Sequence, residues 1–105
     1  ADYSAGAAGA LIAASGDAEP QVAVEAVKFL SKRVDERVAA QLVALLESPE
    51  FTVRAWAARG LGEAGWRPSL PALESRLARE DQAAAERQIR QAIERLQPRA
   101  EGGAN

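Results

Sequence analysis

Neither cysteine nor histidine occurs among the 105 residues of this chain. Disulfides, thiolate metal sites and cysteine nucleophiles are thereby excluded. The commonest general base and the commonest nitrogen ligand for transition metals are missing with histidine. Aromatic side chains number only five, and Val, Ile, Tyr and Thr are too sparse for a strand-rich domain. No apolar run approaches the roughly 20 residues that span a bilayer, and the segment after Ala1 lacks a charged stretch leading into a signal core. A soluble chain is expected, cytoplasmic or processed and exported, with no membrane partner. Methionine is missing too, even at position 1, which fits equally a processed form and a domain of a larger protein.

An excess of either charge is also lacking. Fifteen acids stand against thirteen bases, net charge −2, with the signs mixed along the chain. Nucleic-acid and anionic-membrane surfaces usually carry a basic excess, so neither is the expected partner.

What the chain has in quantity is alanine, within a hydrophobic share of 48%. Alanine is the best helix former and lets helices approach closely, and at this length one domain is expected. Apolar residues recur at three and four, the helical period. Six helices are read at Tyr3 to Ala14, Pro20 to Lys32, Asp35 to Leu46, Phe51 to Ala64, Ser69 to Arg79 and Gln82 to Leu96. Asp35 has the chemistry of an N-cap, Pro71 suits a first turn, and Gly65 suits a left-handed cap. Residues 98–105 form a flexible tail.

The pattern also repeats. Val22, Ala26, Val27 and Leu30 recur 31 residues later as Val53, Ala57, Ala58 and Leu61. The same shift carries Leu42 to Leu73 and Leu46 to Leu77, and one residue more brings Ala57, Leu61 and Ala64 onto Ile89, Ile93 and Leu96. Helices joined by such short connections lie antiparallel. The expected architecture is all-α: an α-α superhelix, or solenoid, of about three antiparallel hairpins. The repeats run approximately over 3–32, 35–65 and 66–97, within one domain, 1–97.

The segment Ser48-Pro49-Glu50-Phe51-Thr52-Val53-Arg54-Ala55-Trp56-Ala57-Ala58-Arg59-Gly60-Leu61-Gly62 resembles the consensus of short HEAT-like repeats, of the phycobilisome-lyase type. A proline-bearing acidic loop leads into Val-Arg, then paired alanines, then Leu-Gly. The resemblance implies a structural arginine at Arg54, pairing with a loop acid. It also implies that second helices line a concave face. Asp17 in the first repeat faces Ala23 at the arginine position, and Arg87 in the third is displaced relative to Asp81, so a continuous arginine ladder is not expected.

No catalytic role is expected, and no cofactor or metal. The adjacent acids Glu80-Asp81, Asp35-Glu36 and Glu47 with Glu50 sit at helix ends, where a carboxylate favours the positive end of the dipole. Gly6 and Gly9 belong to no phosphate fingerprint and are read as a close helix contact. Trp66, beside Pro68, is read as a plug over a groove between hairpins. On the fourth helix Val53, Ala57, Leu61 and Ala64 form a buried stripe, with Trp56, Arg59 and Glu63 on its flank. The corresponding positions are Glu25, Lys28 and Lys32 in the first repeat and Gln88, Gln91 and Arg95 in the third. Trp and Arg dominate many interfaces, so these nine residues are the candidate site for a protein or peptide partner. Trp56 has a second reading, folded over Gly60 as core.

The expected function is therefore a non-catalytic interaction scaffold. Two alternatives stand beside it: an accessory docking domain of a larger enzyme, and a weak nucleic-acid-binding module using Lys28, Lys32, Arg33, Arg37, Arg59, Arg90 and Arg95. The alanine-rich, weakly polar first helix needs a cover, from a second copy or from a neighbouring repeat of a parent chain.

Overall fold

Each helix begins and ends where local chemistry allows it. The computed structural model describes residues 5–98, and among them are six α-helices and no strand. These are α1 (Ala5–Ser15), α2 (Pro20–Leu30), α3 (Glu36–Leu45), α4 (Phe51–Ala64), α5 (Leu70–Arg79) and α6 (Ala83–Leu96), with a short 3-10 turn at Arg67–Ser69 before α5. Tyr3, the expected start of the first helix, and the tail from 99 onward lie outside the described residues.

The caps explain the boundaries. Pro20 opens α2, and the Glu19 amide donates to Asp17 Oδ1 at 2.8 Å. Asp35 Oδ1 accepts from the Val38 amide at 2.9 Å, the expected N-cap bond. Gly65 ends α4 with φ 71°, and the Trp66 amide donates back to the Leu61 carbonyl at 3.1 Å. That left-handed turn is where a glycine is required. The Trp66-Arg67-Pro68-Ser69 stretch forms one tight turn in which Ser69 is buried and its hydroxyl donates to the Trp66 carbonyl at 2.7 Å. Trp66 packs partly buried against the core and lines a shallow groove with Ala39, Ala40 and Val43 of α3.

Successive helices pair as antiparallel hairpins, α1 with α2, α3 with α4 and α5 with α6. The second helix α4 also packs broadly on both α2 and α6, whereas α1 touches α3 only lightly. One layer is drawn together and the other splayed. The face formed by the second helices is consequently the closely packed, inner one. Between the layers runs a single core built on Val27, Leu30, Val38, Leu42, Val53, Leu61, Leu73, Ile89 and Leu96.

Small residues set the spacing of the inner layer. A Cβ on Gly60 would overlap Ser31, the residue that caps α2, and one on Gly62 would stand 2.8 Å from Ala92 Cα of α6. The close contact expected of Gly6 and Gly9 therefore belongs elsewhere. Gly6 is exposed, and Gly9 faces the flexible end of the Arg37 side chain. Two further expectations are corrected. Ala64 is exposed, because it ends α4 beyond the reach of its neighbours, while its counterpart Leu96 is buried. Val22 is exposed as well, although its counterpart Val53 is buried.

Alanine at position 62 gains about 1 kcal/mol of helix propensity but must push α4 from a backbone atom that cannot swing aside. Gly62→Ala is expected to lose about 1 to 3 kcal/mol in urea unfolding. A variant more stable than the parent would show that the α4 to α6 spacing is not fixed by this contact.

Candidate functional site

The candidate site stands on one buried ion pair. Arg54, in the first turns of α4, has its side chain only 8% exposed and Glu80 is fully covered. The guanidinium grips the carboxylate with both ends: Nε donates to Oε1 at 2.8 Å and Nη2 to Oε2 at 2.7 Å. Its Nη1 donates to the Ser48 carbonyl at 2.7 Å, and Glu80 Oε2 also accepts from the Gln82 amide at 3.1 Å. One arginine thereby joins the loop before α4 to the loop before α6. Arg54 has the structural role expected of it. Glu80, however, is not merely a helix-end charge; it is the arginine's partner from the following hairpin.

A second, half-exposed cluster runs alongside. Glu47 accepts from Arg79 at 2.8 and 2.6 Å and from Arg76 at 3.0 Å, bridging α3 to α5. Arg76 Nε also lies 3.3 Å from Glu80 Oε1, in Coulombic contact without hydrogen-bond geometry. The Arg79 hydrogen bonds, followed by the charges of Arg79 and Arg76, bring the Glu47 carboxyl down from 4.5 to about 2. Hydrogen bonding from Arg54 is the main cause that lowers Glu80, and Glu80 in turn raises Arg54.

With α4 clamped on one side and close-packed on both flanks, little of it remains open. Thr52, Trp56, Arg59 and Glu63 occupy that narrow strip, at spacings of four, three and four residues. Trp56 is half-buried against the core. Lys28 Nζ of α2 lies 4.7 Å from its ring centroid and the Arg59 guanidinium 4.8 Å. Contacts of this kind are worth about 0.5 to 1 kcal/mol each at exposed sites, enough to hold the indole in place rather than to bury it. Gly60 does not receive the indole; it faces Ser31.

Two adjoining grooves of about 220 Å³ each open between α4 and α6. Arg59, Glu63, Gln88, Gln91 and Arg95 line one. Phe51, Trp56, Arg59, Arg87 and Gln88 are among those lining the other. Six of the nine residues expected from the sequence thus surround one surface. Glu25 and Lys28 join it from α2, paired to each other at 3.4 Å. Lys32 falls past the end of α2, where its Nζ lies 5.2 Å from the Phe29 ring and outside both grooves.

Phe51 and Arg87 were not anticipated. Arg87 stands one turn before Gln91 and Phe51 one turn before Ala55, so helical spacing alone carried a faint signal for both. Arg59 and Glu63 are joined at 3.0 Å, an exposed pair of little energetic weight. The side chains of Gln88, Gln91, Arg87 and Arg95 make no hydrogen bond or ion pair among the described residues. The strip offers an aromatic face, guanidinium groups and side-chain amides.

The family model for HEAT repeats matches residues 8–94, most of the chain. The chain belongs to the HEAT-repeat family. No curated protein and no solved structure gives a significant match. HEAT repeats commonly mediate protein–protein interaction, and the fold is typically a non-catalytic scaffold. No described helix is long and apolar enough to cross a membrane.

Removing one partner of the Arg54–Glu80 pair leaves a buried charge uncompensated, so Arg54→Ala is expected to cost about 3 to 5 kcal/mol. The double variant Arg54→Met, Glu80→Leu should recover much of that in a double-mutant cycle of urea unfolding. Both lowered carboxyls bind protons less readily folded than unfolded, so their stabilisation is complete above the ordinary value of 4.5 and is lost as pH falls below it, for Glu47 towards about 2. Thermal unfolding is expected to hold its midpoint from neutral pH to just above 4.5 and to fall below it. Glu80→Gln should lower stability at neutral pH and flatten that acid slope.

Proposed function

We propose that this HEAT-repeat protein binds an acidic, apolar-bearing segment of a partner protein along its concave face, with Trp56 as the anchor. One observation carries the proposal. Trp56 is held half-buried beside open grooves by two cations, Lys28 and Arg59, at 4.7 and 4.8 Å from its ring. Tryptophan, tyrosine and arginine are the side chains most enriched among interface hot spots.

Charge supports the choice of partner. Lys28, Arg59, Arg87 and Arg95 surround the grooves, opposed there by Glu25 and Glu63, although the chain as a whole carries −2. Arg87 and Arg95, unpaired among the described residues, are able to fork onto carboxylates. The Gln88 and Gln91 amides each supply both a donor and an acceptor, the pair a peptide backbone requires.

Panning the folded protein against a displayed random peptide library is expected to enrich sequences rich in Asp and Glu with apolar residues between. Trp56→Ala should weaken a selected peptide by about tenfold or more while leaving secondary structure intact, and Arg59→Glu with Arg95→Glu should weaken it further. No enrichment, enrichment of basic sequences, or binding indifferent to Trp56→Ala would refute the reading. Salt-dependent binding of single-stranded or duplex nucleic acid, lost with the same arginines while no peptide binds, would replace it with the nucleic-acid reading.

A further inference from the structure

The two ends of the stack are built differently. In repeat register, Val22 of α2 corresponds to Val53 of α4 and Ala85 of α6, and Phe29 corresponds to Gly60 and Ala92. In the second and third hairpins these positions are closed: Val53 is 1% exposed, Ala85 0% and Ala92 2%, and Gly60 is buried against Ser31 of the preceding hairpin. In the first hairpin Val22 is 43% exposed and Phe29 54%. They are two of the three large exposed apolar residues among the described ones. Beside them α1 carries no charged residue over its length, and its exposed positions are Gly6, Ala7, Ala10 and Ala13.

The opposite end is closed by charge. The positions of α4 turned toward the next hairpin include Ala55, Ala58 and Gly62, all buried. Their counterparts in α6 are Arg87, Arg90 and Glu94, all exposed, with Arg90 paired to Glu86 at 2.9 Å. The last hairpin thus presents to water the face that an inner hairpin presents to its neighbour, and it is polar there, as a terminal repeat must be.

We propose that the N-terminal end of the stack pairs with the same end of a second copy, burying Val22 and Phe29 of both. Head-to-tail stacking would place Arg87, Arg90 and Glu94 against apolar groups and strip their water. Head-to-head pairing matches apolar with apolar and closes as a two-fold pair, so no filament grows. The inner hairpin contacts use glycine and alanine where this end uses phenylalanine. A further hairpin seated at the same close spacing would collide with that ring, whereas a two-fold partner can interleave its own. The face is two eleven-residue helices wide, small beside the roughly 800 Å² per partner of stable complexes. Association at micromolar concentrations is expected rather than nanomolar.

Sedimentation velocity of the full chain from about 10 µM to about 1 mM is expected to show a reversible monomer-to-dimer shift. Phe29→Glu with Val22→Glu should hold the protein monomeric over that range, with circular dichroism unchanged because both sites are exposed. Glu94→Lys, at the far end, should leave the dimer intact. A monomer throughout, a dimer that survives the double substitution, or a dimer dissolved by Glu94→Lys would each overturn the proposal. The concave-face peptide binding is independent of it and is read separately.

Discussion

The closeness with which α2 and α6 approach α4 is the constraint on which the rest of the molecule depends. Gly60 admits Ser31 on one flank and Gly62 admits Ala92 on the other. The second helices therefore form a tight inner layer, while the first helices, with bulkier contacts and ion pairs between them, stand apart. The narrowness of the open strip on α4 follows from that packing, with Thr52, Trp56, Arg59 and Glu63 spaced along it.

Close packing alone does not set the angle between hairpins, because small residues slide past one another easily. Arg54 supplies the fixed point. Its guanidinium is satisfied only when the loop after α5 brings Glu80 and the loop after α3 brings the Ser48 carbonyl to the same place. A buried charge pair contributes little net stability compared with apolar packing, but an unsatisfied one is costly. Its effect is to penalise every other register. The Glu47 cluster with Arg76 and Arg79 ties the outer layer at the same junction, with less force because water reaches it.

These features separate a scaffold from its surfaces. The interior between second and third hairpins is fixed by geometry and charge together. Trp56 is held under two cations, and Arg87 and Arg95 make no ion pair among the described residues, so the fold does not use these outward groups up. The first hairpin lacks an arginine at the Arg54 position, with Ala23 there instead, and its outer helix is bland. Its exposed Phe29 stands where the other hairpins are closed.

The sequence by itself determined the six helices, the Asp35 cap, the Gly65 stop, the hairpin repeat and the strip on which Trp56, Arg59 and Glu63 stand. Those features arise within one or two turns, from period, capping and backbone freedom, and need no knowledge of neighbours. Only the tertiary structure decided that Glu80 answers Arg54, that Gly60 and Gly62 rather than Gly6 and Gly9 are the close contacts, and that Ala64, Val22 and Lys32 fall outside the roles their spacing suggested. The Glu80 pairing and the glycine contacts depend on where one hairpin lies against another, over separations of 26 residues and more. Helical period says which side of a helix is apolar; it does not say which neighbour, if any, arrives to cover it.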